Sequence, residues 1–479
     1  MVSVADRNAA AASDPVSWWW LETEKLRSQA PVCLPLSGER QVDVVIVGGG
    51  FTGLWTALAL KERQPCLNIA LLEEHTCGSG ASGKNGGNVS GYWSSLPSLV
   101  RLLGADAALN VAKAGTRAQD AIRAFATRPG IDVWWREDGN MRIATAASHD
   151  EKIDDYISTF TALGISNMAI RLTPEQVAER FRSPAARGGV YFSEGAIVHP
   201  ARLALALRDE ALRLGVTIHE HSPMVRLDCG DVNRVRTPAG ALLARDVVLA
   251  TNVKLATDVE VSANLCVFSS YALMTAPATA ELEAMGWAGN EGITDLRMFL
   301  HYFRKTPDGR VLMGSGSGPV GYKGRVDNPQ LYSDQASAER AISGLRNLLP
   351  TLGTVAIEKV WGAPIDMAPD RLPFFRTRQH YRIHYGCGYS GHGVNATYIG
   401  GQCLASLVLN ENDYWANLPF CTRKLSAFPP EPWRTLGART VRHAILNCEE
   451  AEHTSRHPSI TSRFIASLPA KLGLRLGTR

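Results

Sequence analysis

At 479 residues the chain is long enough for two or three domains, and its 45% hydrophobic and 20% charged residues are those of an ordinary globular protein. A net charge of +4 is too small to mark a nucleic-acid binder, and it belongs to the tail: residues 419–479 hold ten Lys/Arg against four Asp/Glu. The nine cysteines include no C-x-x-C pair, which argues against a zinc cage or a disulfide framework, leaves no metal site in view, and favours a reducing, cytoplasmic setting.

The opening residues, "MVSVADRNAAAASDPVSWWWLETEKL", lack the basic start and long apolar run of a secretory signal. Residues 44–60 are uncharged, but they number 17 and carry Gly48, Gly49, Gly50 and Gly53. A membrane span needs about 20 apolar residues, so this stretch reads as strand, turn and helix. "VDVVIV" (42–47) has the β-branched composition of a parallel strand buried on both faces. "GGGFTG" follows, with Phe51 and Thr52 inside the Gly48-x-Gly50-x-x-Gly53 spacing, and then a helical segment. Gly48 permits the tight turn, Gly50 admits a pyrophosphate to the backbone, and Gly53 lets helix and strand pack closely. The helix N-terminus turns its partial positive charge on the phosphates. A second strand, "NIALLE", ends at Glu73, twenty residues after Gly53, where a carboxylate accepts hydrogen bonds from a ribose; Glu74 is the lesser choice by register. Together these elements read as a dinucleotide site without separating NAD from FAD.

Next comes "GSGASGKNGG" (78–87), a glycine-rich stretch too early in a doubly wound unit to be a spacer. The small residues at 78–83, Gly80 and Ala81 among them, allow close approach, Ser79, Ser82, Lys84 and Asn85 offer donors to an anion, and Gly86 and Gly87 are further cofactor candidates. With Glu73 and "EHTC" before it, this loop resembles that of the FAD-dependent amine and amino-acid oxidoreductases of the D-amino-acid oxidase superfamily, nearest to the gamma-glutamylputrescine oxidase type and its glycine oxidase and sarcosine oxidase relatives. In that family the loop runs beneath the flavin. The resemblance implies an α/β chain, α+β overall: a doubly wound, Rossmann-like FAD-binding domain from residues 36–105, 195–260 and 355–415, with an inserted antiparallel-sheet substrate domain from 106–194 and 261–354. Residues 416–479 form a basic helical extension.

Further along, "GAIVHPARLALALRDEALRLGVTIHEHSPMVRL" predicts a helix from Pro200 to about Leu214 and a strand pair, with Val225 matching the family's backbone contact to adenine. "ARDVVLATN" predicts a buried strand that returns to the cofactor at Thr251 and Asn252. In the second insert, "HYFR" places Tyr302 and Arg304 on one face of a strand as substrate-side candidates, with His301 a weaker one on the other face, and "TPDGR" turns the chain back. "YRIHYGCGYSGHGVNATYIGGQCLASLVL" (381–409) predicts a strand, a glycine-rich turn and a helix beginning near Val394. Gly391, His392, Gly393, Val394 and Asn395 lie at that turn, where a helix N-terminus faces the flavin's pyrimidine end if the resemblance holds. His392 is read both as a capping residue and as a neighbour of the ring, and Tyr389 as part of an aromatic wall.

The resemblance implies oxidation of a primary or secondary amine, or an amino acid, to an imine that hydrolyses, with oxygen reduced to hydrogen peroxide. A dehydrogenase serving a quinone or protein acceptor is the alternative, and a non-catalytic FAD-binding sensor a further one. The small-molecule amine and oxygen are then the partners, with no nucleic acid. Three positions depart from the relatives: Asn395 stands for a lysine that holds the substrate carboxylate, Ala363 falls where some relatives bond FAD through cysteine, so FAD is expected to be non-covalent, and Leu312 falls near the oxygen-activating lysine. For the tail, a helical lid or intersubunit clasp is preferred to peripheral membrane contact, with Pro469 expected to interrupt its last helix.

Overall fold

The computed structural model describes residues 16–453, 456–471 and 473–474. The opening residues considered for a secretory signal lie largely outside these, as does the end of the basic tail. Stretches far apart in sequence meet in a six-stranded sheet, ordered Phe374–Arg378, Ile383–Cys387, Asp246–Leu249, Val44–Val47, Ile69–Leu72, Thr217–His219. Its neighbours run parallel except for the antiparallel first pair. The continuous apolar runs are explained by cover on both faces. Ile46 and Leu71 pack among helices Phe51–Arg63, Pro200–Arg213 and Gly393–Leu409, whereas Val45 and Leu72 pack against Val235 and Leu242 of a second sheet.

That second sheet has four strands, ordered Gly38–Gln41, Gly240–Ala244, Asn233–Arg236, Arg226–Asp228. The strand pair expected after the helix at Pro200 is therefore divided: Thr217–His219 edges the six-stranded sheet and Arg226–Asp228 the four-stranded one. The Ser222 N–H, held by the Glu73 carbonyl at 2.7 Å, fixes the crossing between them.

A larger sheet of eight strands is ordered Ile357–Met367, Cys266–Thr275, Val311–Ser315, His301–Lys305, Gly292–Asp295, Asn140–Ile143, Gly189–Phe192, Ile170–Leu172. It is antiparallel except where Gly292–Asp295 runs parallel to Asn140–Ile143. Strand Ile357–Met367, expected with the cofactor segments, is its edge, paired with Cys266–Thr275 from Met367↔Cys266 to Lys359↔Met274 and, after a register shift, at Ile357↔Thr275. The "TPDGR" turn joins two of its strands as expected.

In the extension, helix Trp433–His453 follows the prolines, and helix Ile460–Lys471 continues through Pro469. So close to a helix end, the missing proline N–H costs a single bond and the helix is not broken there. No described helix is long and apolar enough to cross a membrane.

Candidate active site

A cavity of about 940 Å³ lies between the C-terminal ends of the parallel strands and one face of the eight-stranded sheet. On the nucleotide side it is lined by Gly48, Gly50, Phe51, Thr52, Glu73, Glu74, Thr251 and Asn252. Gly48 has φ +112°, and a Cβ there would lie 2.5 Å from the Ala250 carbonyl oxygen. Gly53 lies behind the cavity, where a Cβ would meet the Gly48 carbonyl oxygen at 2.0 Å, so it serves the close packing expected of it. The Glu73 carboxylate accepts from the Gly49 N–H at 2.7 Å and the His75 N–H at 2.9 Å. Burial raises its pKa, against those two bonds. Glu74 instead pairs with Lys254.

From the glycine-rich loop, Gly80, Ala81, Ser82, Lys84, Asn85 and Gly86 line the cavity. The Ser82 hydroxyl accepts from the Phe51 N–H at 2.8 Å, joining the loop to the first helix. Gly87 stands behind it, with a Cβ position 2.1 Å from the Val198 carbonyl oxygen. Gly391, His392, Gly393 and Val394 close the opposite end. FAD fits these residues. Helix Phe51–Arg63 starts at Gly50, which has no side chain to cap it, and Asn252, which lines the cavity, has a buried Oδ1 without a protein partner.

Other expected residues are placed differently. Val225 is exposed and its N–H donates to the Arg236 carbonyl; Ser222, Pro223 and Met224 line the cavity in its stead, because the crossing between sheets has already turned away. Asn395 is buried under helix Ala105–Ala126, with Nδ2 donating to the Gly115 carbonyl at 2.9 Å. His301 occupies the far face of its strand, where Nδ1 meets Asp295 Oδ2 at 2.8 Å. Arg304 shares a face with Tyr302 but is fully buried behind the glycine-rich loop, donating to the carbonyls of Gly86 and Val198. Tyr302 does line the cavity, and its hydroxyl lies 3.4 Å from Ser270 Oγ. Tyr389 lines it too, with its hydroxyl 2.7 Å from Thr52 Oγ1. The His392 ring stacks on Tyr92, and its Nε2 lies 3.1 Å from the Ser90 carbonyl oxygen.

Among the lining residues that escaped the sequence reading are Arg142, Arg371 and Asp366. Arg142 is 4% exposed, donates from Nη2 to Ser94 Oγ at 2.9 Å, and leaves Nε and Nη1 buried without a protein partner. Arg371 stands near enough that the Arg142 charge, after burial, depresses its pKa, to about 10. Asp366 accepts the Gly388 N–H at 2.5 Å and so holds the turn before "SGHG". Burial pushes its carboxyl up to about 7. Only alternation with Asn140 hinted at Arg142, and nothing local marked the other two. Helix Trp433–His453 completes the wall with Ala438, Val441, Arg442 and Ile445, an i, i+3, i+4, i+7 stripe in the place of a lid.

The family model described as FAD dependent oxidoreductase (DAO) matches residues 43–407. Gamma-glutamylputrescine oxidoreductase of Escherichia coli (strain K12) is 30% identical over 391 residues, covering 79% of this chain and 86% of that protein. The probable oxidoreductase OrdL of Haemophilus influenzae is 27% identical over 395 residues, 79% of this chain and 85% of its own length. Among solved structures, glycine oxidase from Geobacillus kaustophilus superposes with a TM-score of 0.66 at 21% identity, covering 81% of this chain and 100% of that one, which shows the shared fold. The match runs through both glycine-rich turns and both faces of the cavity, and the chain belongs to the DAO family of FAD-dependent oxidoreductases.

Proposed function

We propose that the protein oxidises the C–N bond of a primary or secondary amine that also carries a carboxylate, giving an imine that water hydrolyses to a carbonyl compound and a smaller amine or ammonia. The observation that carries this reading is Arg142, a buried guanidinium lining the cavity that donates to a neutral hydroxyl and leaves Nε and Nη1 without a protein partner. A desolvated cation in that setting favours an anionic partner, and a guanidinium fork suits a carboxylate. Gamma-glutamylputrescine and sarcosine, the compounds for which relatives are named, are both amines that bear one.

Bound FAD supplies the hydride acceptor. The chain's own residues do the rest by position. Arg142, Thr294 and Tyr302 form one cross-strand row facing the cavity, so a carboxylate held at Arg142 sets the amine end along Tyr302. The two arginines also disfavour an ammonium near them, which keeps the amine in the neutral form from which hydride leaves. Ala363 lines the cavity without a nucleophile, and burial raises the thiol of Cys266, the cysteine in the same wall, to about 12, which supports reading FAD as held non-covalently.

Oxygen is the proposed acceptor, reduced by two electrons and two protons to hydrogen peroxide. A second reading, electron transfer to a quinone or protein, is favoured by Leu312, which brings a neutral side chain beneath Gly86. Anaerobic titration of the holoprotein with amines, with and without a carboxylate, tests both. Bleaching by carboxylated amines, reversed by air with peroxide formed, is the expected result. Bleaching that air does not reverse establishes the second reading, and no bleaching by any amine overturns the first.

A further inference from the structure

The carbonyls of the glycine-rich loop are tied from behind, one after another. Gly83 accepts from the Ser17 hydroxyl at 2.6 Å, Lys84 from the Trp361 indole at 2.8 Å, Asn85 from the Trp19 indole at 2.9 Å and Gly86 from Arg304 Nε at 2.6 Å. The Gly87 carbonyl takes the Val198 N–H at 2.8 Å. The side-chain donors are buried, with Ser17, Trp19 and Arg304 at 0% exposure and Trp361 at 2%. A trans peptide carries its N–H and C=O on opposite sides. Pinning the Lys84 and Asn85 carbonyls outward therefore directs the amides of Asn85 and Gly86 toward the cavity that both residues line.

Two of these donors come from the start of the chain. Ser17 caps helix Trp18–Glu22 and Trp19 lies within it, upstream of residue 43 where the family match begins. The contact is close: a Cβ on Gly83 would meet Trp20 Cε3 at 3.3 Å. Arg304, for which no carboxylate partner is found among the described residues, places its guanidinium 4.8 Å from the Trp19 ring centre. A fully buried cation is costly, and here it donates to backbone carbonyls of the loop and of its neighbour Val198.

We propose that Ser17 and Trp19 belong to the FAD site as a brace that sets the loop amides in their binding geometry before the cofactor arrives. A glycine-rich loop has much conformational freedom to lose, and a loop ordered only on binding would subtract that loss from affinity. With the brace, folding meets the cost instead. Ser17 and Trp19 are thus positioning residues that act on FAD through the loop.

Trp19→Phe keeps the ring and removes the donor, Ser17→Ala removes the hydroxyl, and Trp18→Phe is the control, since the Trp18 indole donates to Glu358 at 3.0 Å and not to the loop. Titration of each apoprotein with FAD, followed by flavin fluorescence, should show about tenfold weaker binding for Trp19→Phe and Ser17→Ala and unchanged binding for Trp18→Phe. Hydrogen exchange on the wild-type apoprotein needs no variant: the Trp19 indole N–H and the Val198 amide, which bond the Asn85 and Gly87 carbonyls from behind, should exchange slowly before FAD is added. Wild-type FAD affinity in both brace variants, or rapid exchange of those two groups in the wild-type apoprotein, would overturn the proposal.

Discussion

Arg142 carries the substrate reading, so its replacement is the most direct test of it. Arg142→Gln should lower kcat/KM for a carboxylated amine about 10- to 100-fold, the worth of a charge-assisted hydrogen bond, and leave an uncharged amine of similar size within about twofold. Equal losses on both substrates would sink the assignment. Asp366 makes a prediction about pH. Its folded pKa, about 7, lies above the ordinary carboxylate value of 3.8, so the folded state binds the proton more tightly than the unfolded chain. Its contribution to stability is full below that ordinary value and is lost as pH rises toward about 7, with a slope of up to about 1.4 kcal/mol per unit. Asp366→Asn keeps an acceptor for the Gly388 N–H and should flatten that part of the curve, read from urea unfolding between pH 4 and 8. Identical curves for the two proteins would place the Asp366 carboxyl at an ordinary pKa.

Helix Trp433–His453 is the element that relates the extension to the cavity. It is held at several points: Arg442 donates to the carbonyls of Ser317 and Gly318, Arg434 to those of Ser262 and Leu265, and Glu449 accepts the Phe299 N–H at 2.9 Å. Its cavity-facing stripe is mostly apolar, so Val441→Trp should exclude amines with bulky apolar chains, raising their KM at least about tenfold, and spare short ones. Steady-state kinetics over a chain-length series checks this; a uniform loss at all lengths would mean the helix is only a structural cover. The basic composition that suggested a membrane surface is accounted for in part by these arginines, which bind backbone carbonyls. Strand His301–Lys305 shows the limit of reading period two. Alternation correctly put Tyr302 and Arg304 together and His301 opposite. It carried no information on which end of that face the glycine-rich loop covers, and so none on which side chain is left open to the cavity.

The cavity proposed to hold FAD brings together parts of the chain that are remote in sequence. If FAD is held without a covalent bond, acid precipitation should release all the flavin to the supernatant, and the holoprotein at about 100 times the dissociation constant of FAD should gain about 2.7 kcal/mol over the apoprotein. Flavin retained in the pellet would contradict the non-covalent assignment. How much of this molecule was legible beforehand follows from the range of the interactions involved. Gly48, Gly50, Gly53, Glu73 and the turn at Gly391–Gly393 act through backbone geometry settled within a strand, a turn and a helix, and short stretches of chain specify them. Arg142 and Arg371 become a pair, Arg304 becomes a strut, and Trp19 reaches Asn85 through packing between distant segments. A side chain's environment in those cases is made by residues that no local pattern names, which is why the nucleotide end was written in the chain and the substrate end was decided only when the sheets and the terminal helices came together.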